Sequence, residues 1–373
     1  MAMKIGLVDE RSSLERRVAI IPDTVRRLSD MGFAVFLQKG AGSGAYHTDA
    51  AYAEVGAQIL PDAAAVAEAA DILLRLRMPT KDEIHTYPPG KVLVGILQAW
   101  RHEAELQALA EKKWSVFALE KLPRITRAQS MDVLSSMAAL AGYKAVLLAA
   151  AHFARVFPML TTAAGTLTPA RVLVIGAGVA GLQAIATARR LGAQVEGYDI
   201  RPAAKEQVES LGAKFLPLTL DASGEGTGGY ARELTPEEQA KQREALATYV
   251  ARADIIITTA AVPGRPAPKL ISADMRRAMK PGSVIVDLAA ETGGNCEETR
   301  PGETQILDGI TLIAPLNLPA TLPIHASQML SRNFMEFLSL FRKKDGTLSL
   351  HTEDELLKST CLLWNGEPLA QPA

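Results

Sequence analysis

Cysteine is nearly absent from this chain, with only Cys296 and Cys361 in 373 residues. Two thiols so far apart exclude a disulfide-built scaffold and favour a reducing compartment. Aromatic residues make up 5% of the sequence, too few for a base-stacking surface. A formal net charge of -1 excludes the basic footprint of a nucleic-acid-binding protein. The six histidines are scattered and show no metal-ligand spacing. The N-terminus, MAMKIGLV, has no apolar core of signal-peptide length. The most apolar stretch, Ala145–Gly165, is interrupted by His152, Arg155 and Pro158. It therefore reads as a buried core helix rather than a membrane span.

What remains is ordinary globular material, 48% hydrophobic and 22% charged. The length favours about two domains. Short apolar runs alternate with helical stretches. Strands are expected at Lys4–Val8, Phe33–Gln38, Asp71–Arg75, Val92–Leu97 and Trp114–Ala118. Pro22–Met31 reads as a helix, with proline in its first turn and Gly32 just past its end. The pattern breaks over Leu119–Ser135, and a long Ala-rich helix follows to Phe157. A second alternating series has strands at Val172–Ile175, Gln194–Tyr198, Lys214–Leu216, Ile255–Thr259, Val284–Asp287 and Thr311–Ala314. Leu220–Tyr230 is glycine-rich and reads as a mobile loop. Ile324–Phe341 reads as one amphipathic helix, followed by strand-like pieces around Trp364-Asn365-Gly366-Glu367. The fold class expected is α/β, with two Rossmann-like, doubly wound parallel-sheet domains. The second domain (135–319) is inserted in the first (1–134 plus 320–373), to which the C-terminal helix returns.

The stretch RVLVIGAGVAGLQAIATARRLGAQVEGYDIR gives the clearest chemical signal. Gly176, Gly178 and Gly181 form GxGxxG between an apolar strand and an unbroken helix. The first glycine permits the tight turn, the second lets backbone approach a pyrophosphate, and the third allows close helix–strand packing. The helix N-terminus offers N–H groups and partial positive charge to phosphates. Asp199 ends the next strand, where a carboxylate accepts from ribose hydroxyls and repels a 2′-phosphate, favouring NAD over NADP. Arg201, two residues later, works against that preference.

A dehydrogenase ordinarily places an acid or base at the substrate carbonyl. None is convincing here. His47 and His102 read as loop and surface residues. Arg17, Arg75 and Arg77 could bind a carboxylate but do not titrate usefully. The segment RITRAQSMD gathers Arg124, Arg127, Gln129 and Asp132 in one irregular loop. Position and composition leave two readings open: a loop that orients a nicotinamide, or a solvated hinge in which Ser130 or Asp132 caps the next helix.

RITRAQSMDVLSSMAALAGYKAV, VLVIGAGVAGLQAIATARRLGAQV, ITTAAVPGRPAPKLI and PGSVIVDLAAETGGNCE together resemble the NAD(H)-binding component of proton-translocating NAD(P)+ transhydrogenase. The resemblance runs along essentially the whole chain. It implies Si-to-Re-specific hydride transfer directly between NADH bound here and NADP+ bound on a partner, with no acid or base required. It also implies an NADP(H)-binding partner subunit, a membrane proton-channel subunit, a homodimer, and a place on the cytoplasmic face of the membrane. Arg124, Gln129, Asp132 and Ser135 match the family's nicotinamide loop, with Gln129 towards the second nucleotide. Val179 matches the dinucleotide turn, and Asp199, Ile200 and Arg201 match the adenosine-ribose segment. Gly229 and Tyr230 match a mobile closing loop. Gln242 and Ala260-Ala261-Val262-Pro263 match further contacts, Ala261 standing where the family often has a larger apolar residue.

Alanine dehydrogenase is similar more distantly. Its substrate arginine matches Arg17, and Asn317-Leu318-Pro319 matches its corresponding nucleotide segment. Its catalytic lysine, histidine and aspartate positions carry Arg75, Gln98 and Glu291, which points away from amino-acid oxidation. The alternatives to transhydrogenation are an alanine-dehydrogenase-like oxidoreductase and a non-catalytic NADH sensor.

Overall fold

The computed structural model describes residues 2–217, 232, 234–261, 264–342 and 347–369. Apolar runs too short for helices become strands buried on both faces, and the polar-sided stretches between them become covering helices. The chain divides into two units, residues 1–136 with 320–373, and residues 137–319.

In the first unit the parallel strands are β1 (Met3–Leu7), β2 (Phe33–Gln38), β3 (Gln58–Leu60), β4 (Ile72–Arg75), β5 (Val92–Gly95) and β6 (Ser115–Ala118). Their order is β6-β5-β4-β1-β2-β3, the doubly wound arrangement. Helix Pro22–Asp30 carries its proline in the first turn, and Gly32 follows at φ +95°. After the excursion into the second unit, helix Pro323–Ser339 returns and buries Ala326, Leu330, Phe334 and Phe337 completely. Phe337 and Phe341 meet the ring of Phe117 edge-on, at 6.0 and 5.5 Å between centroids. The hydroxyls of Ser327 and Ser331 accept the Val18 and Ile21 N–H groups, both at 3.0 Å. Strand Cys361–Trp364 then pairs antiparallel with β6 and with Glu367–Pro368. Asn365 and Gly366 make that turn at φ 50° and 87°, the left-handed pair that a two-residue hairpin demands.

In the second unit a small exposed hairpin, β7 (Leu160–Thr162) and β8 (Gly165–Leu167), precedes the main sheet. That sheet comprises β9 (Arg171–Ile175), β10 (Gln194–Tyr198), β11 (Lys214–Phe215), β12 (Ile255–Thr258), β13 (Val284–Asp287), β14 (Thr304–Leu307) and β15 (Ile310–Ile313). The order is β11-β10-β9-β12-β13-β15-β14, parallel except for β14. The expected α/β class with two Rossmann-like sheets is therefore what the chain forms.

Several local expectations need correction. The long Ala-rich helix is Val133–His152 and stops short of Phe157. Pro158 disfavours helical backbone before it, and Phe153 and Phe157 instead pack edge-on, 6.0 Å apart, in the core. Among the described residues this is the one helix long and apolar enough to cross a membrane, but only 33% of its most apolar window is buried. A wholly buried core helix is thus too strong a reading, although Ala145, Val146 and Ala149 do enter the core of the second unit. Strands β3, β7, β8 and β14 go beyond those expected from the sequence; each is short and largely solvent-facing.

Candidate functional site

Two places gather the residues that the sequence singles out, one in each unit. In the second unit β9 is followed by Gly176, whose φ of +99° no L side chain adopts comfortably. Helix Val179–Arg190 begins after Gly178 without any side-chain cap, so its leading N–H groups are offered by backbone alone. A Cβ on Gly181 would lie 1.8 Å from the Gly176 carbonyl oxygen, which forbids any side chain there. A Cβ on Gly178 would meet nothing within 4 Å. The protein's own packing therefore does not require Gly178; what glycine preserves is open space beside the helix N-terminus, with Val179 exposed next to it. From the neighbouring strand β12, Thr259 donates its hydroxyl to the Gly176 carbonyl at 2.9 Å and its N–H to Ile175 at 2.8 Å.

Asp199 lies at the end of β10, its side chain only 7% exposed. It accepts the Ala177 N–H at 2.8 Å, so the acid is tied directly to the glycine turn. It also accepts the Arg201 backbone N–H, Nε and Nη2 at 2.9, 2.9 and 2.8 Å. The Arg201 charge is thus offset by Asp199 at short range. Ile200 is half-buried against the core. Gln242 is buried and donates to the Tyr198 hydroxyl at 3.1 Å. Burial pushes the Tyr198 hydroxyl above its usual range, with the Gln242 bond pulling the other way. Ala261 is exposed. Gly229, Tyr230, Val262 and Pro263 lie outside the described residues.

In the first unit the segment Thr126–Met131 forms a short 3-10 helix with Ala128 and Met131 turned inward and Arg124, Gln129 and Ser130 exposed. Two ties hold it to the returning segment. Asn333 donates to the Ser130 carbonyl at 2.7 Å, and Arg127 pairs with Asp354. Asp132 accepts the Ser135 N–H at 2.9 Å and the Ser135 hydroxyl at 2.5 Å. The carboxylate of Asp132, not Ser130, therefore caps the long helix, which realises that half of the capping alternative. Gln129 is exposed to solvent.

The positions that would carry amino-acid chemistry are occupied otherwise. Arg75 is 0% exposed and bonds Glu10 at 3.0 Å, Tyr87 at 2.9 Å and Glu83 at 2.9 Å. Burial works against its charge, and the two carboxylates beside it overcome that and hold the guanidinium protonated. Burial likewise pushes the Glu10 carboxyl up, with Arg75 pulling it down. Arg17 is paired bidentately with Glu15, at 2.8 and 2.6 Å. Gln98 sits at φ 45°, its N–H and that of Leu97 held by the Glu120 carboxylate. Glu291 accepts the Asn317 N–H at 2.7 Å. Reading the sequence alone missed Thr259, Asp287, Asn295 and Asn333; their role is internal bonding, which no motif chemistry announces.

The comparisons with known proteins place the chain in a family. The family model described as "Alanine dehydrogenase/PNT, N-terminal domain" matches residues 6–141, and "Alanine dehydrogenase/PNT, C-terminal domain" matches residues 145–371. The first part of NAD(P) transhydrogenase subunit alpha of Rhodospirillum rubrum is 46% identical over 98% of this chain and 97% of its own length. "NAD(P) transhydrogenase subunit alpha" of Haemophilus influenzae is 42% identical over 98% of this chain and 72% of its own length. "Alanine dehydrogenase" of Halomonas elongata is 31% identical over 94% of this chain and 91% of its own length. The solved transhydrogenase of Sinorhizobium meliloti superposes with a TM-score of 0.86 at 41% identity, over 99% of both chains. A solved L-alanine dehydrogenase gives 0.79 at 26% identity, over 99% of this chain and 97% of that one. With full-length identity to transhydrogenase alpha subunits well above that to alanine dehydrogenases, the chain belongs to the alanine dehydrogenase/PNT family, as an NAD(P) transhydrogenase alpha-subunit homologue.

Proposed function

We propose that this chain binds NAD(H) in its second unit and presents the nicotinamide for direct hydride transfer, Si-to-Re specific, to or from NADP(H) on a partner subunit. A membrane subunit couples that transfer to proton translocation. The chain then works at the cytoplasmic face of the membrane through its partners, as a homodimer; exposed Met159, Leu160 and Leu167 around the hairpin are suited to self-association.

The observation that carries this over amino-acid oxidation is the sealing of Arg75. The position matching a catalytic lysine holds a permanently charged group with no exposed surface and three protein partners. Hydride exchange between two nicotinamide rings dispenses with an acid or base, so what the protein supplies is proximity and orientation. The family resemblance assigns that orientation to Arg124, Gln129, Asp132 and Ser135. Gly176, Gly178, Val179, Gly181, Asp199, Ile200, Arg201, Gln242 and Ala261 form the nucleotide side, to which the family resemblance adds Gly229 and Tyr230. Asp199 favours NAD(H) by repelling a 2′-phosphate.

The test is reduction of an NAD analogue by NADPH when the chain is mixed with an NADP(H)-binding partner. Alanine-dependent NAD+ reduction by the chain alone would overturn the reading in favour of a dehydrogenase. Gln129→Asn should slow hydride transfer about tenfold, some 1.4 kcal/mol of barrier, while NADH affinity stays within about twofold. A sensor has no transfer to slow.

A further inference from the structure

Beyond the glycine turn, the second unit contains a buried side-chain clamp that the sequence motifs do not explain. Asn295 is 0% exposed. Its Oδ1 accepts the Ala260 N–H at 3.0 Å, and its Nδ2 donates to the Ala260 carbonyl at 2.8 Å and to the Pro268 carbonyl at 2.9 Å. One amide therefore holds the segment after β12 at two points, Ala260 and Pro268. The clamp is itself fixed. The Asn295 N–H donates to Asp287 Oδ2 at 2.7 Å, and its carbonyl accepts the Leu270 and Ile271 N–H groups at 2.7 and 3.0 Å.

Asp287 is also 0% exposed and ends β13. It accepts from the Thr258 hydroxyl at 2.9 Å, the Ala289 and Cys296 N–H groups at 3.1 Å each, and the Thr299 hydroxyl at 2.6 Å. A continuous chain of short bonds thus runs from the sheet through Asp287, Asn295 and Ala260 to Thr259, whose hydroxyl holds the Gly176 carbonyl.

The residue type fits the task closely. Holding both the N–H and the carbonyl of one residue takes a short side chain with an acceptor and a donor side by side. A carboxylate there would face two carbonyl oxygens. The placement matters too. In a doubly wound sheet the dinucleotide spans the crevice where strand order reverses, one half on each side. Asp199 lies on the β10 side of β9, and Ala260 lies on the β12 side.

We propose that Asn295 is a positioning residue for the nicotinamide half of the nucleotide: it sets the backbone at Ala260 and Ala261 against which that half is seated. The proposal rests on the NAD(H) reading above and adds to it a residue that touches no nucleotide. The test compares NADH with AMP, which occupies only the adenosine half, by titration of the full chain. Asn295→Ala should weaken NADH at least about tenfold, equivalent to 1.4 kcal/mol, and change AMP affinity by less than about twofold. Asn295→Asp should lose at least as much NADH affinity as the alanine variant. Cooperative urea unfolding scores folding; if Asn295→Ala does not fold, Asn295→Ser carries the same comparison.

Unchanged NADH affinity overturns the proposal, and so does parallel loss of NADH and AMP, which would mark a merely structural residue. Unaltered chain that binds neither nucleotide would instead overturn the NAD(H) reading itself.

Discussion

In the first unit the chain leaves β1 towards Glu10 and leaves β4 through Arg75; in the second it leaves β9 through Gly176 and β12 through Thr259. These are equivalent points, because β1 and β4 flank each other in the first sheet as β9 and β12 do in the second. In the first unit Glu10 fills the point with its own carboxylate, accepting the Leu76 N–H at 2.8 Å and the Arg77 N–H at 3.2 Å and pairing with Arg75. In the second unit the turn carries no side chain larger than that of Ala177, Gly178 borders open space, and the helix start has no side-chain cap. One sheet closes this point with a buried ion pair, and the other leaves open space beside its turn. Fold alone does not make a nucleotide site; the occupancy of the crest of the sheet does.

The largest expected effect comes from unplugging the filled side. Arg75→Met leaves Glu10 buried without its cation, which should cost about 3–5 kcal/mol of stability in urea unfolding. A change under about 1 kcal/mol would mean that the cluster is not what closes the first crevice. Plugging the open side should separate two glycines. Gly181→Ala, with its Cβ driven into the Gly176 carbonyl, should lose about 1–3 kcal/mol of stability along with NADH binding. Gly178→Ala should leave the unfolding midpoint in place and still weaken NADH about tenfold, because only a ligand contests that space. Equal behaviour of the two variants would contradict the assignment of open space to phosphate.

A smaller effect is expected at the acid. Asp199→Asn removes the carboxylate charge that pairs with Arg201 and, on the proposed reading, accepts from the ribose; NADH affinity should fall by roughly 1 kcal/mol, about fivefold, in fluorescence titration. NADPH binding that improves while NADH weakens would sharpen the role of Arg201. The smallest effect is at the thiols. Burial pushes Cys361 up to about 12 and Cys296 well above the usual range. Because these raised values favour the neutral form, their contribution to stability is complete below the ordinary thiol range and declines only as pH climbs towards about 12. Neither thiol should react with a disulfide reagent at pH 8 until the chain unfolds.

Much of this layout was readable from residue pattern. The glycine spacing, the strand–helix–strand period and the Asn365-Gly366 turn announce themselves because each follows from local sterics. The returning helix was legible from its amphipathic period. Strands β3 and β14 were not, since three or four half-exposed residues give no periodic signal. The stopping point at His152 depended on Phe153 and Phe157 finding a core, a tertiary fact. At the site, glycines and Asp199 were visible, while Thr259, Asp287 and Asn295 were hidden. They bond backbone groups far away in sequence, at separations of 83 residues for Thr259 to Gly176 and 35 for Asn295 to Ala260. Asp132 offered two local roles, and only geometry displays the helix-capping one.

The knot at Asp199 has one more implication. A carboxylate has roughly four places for incoming hydrogens, and Ala177 with the three Arg201 groups uses four. On the proposed NAD(H) reading, a ribose reaches this carboxylate only by trading places with the guanidinium. Under that reading the exchange keeps a buried charge from standing bare and trims the grip on each nucleotide, so that release is as easy as capture.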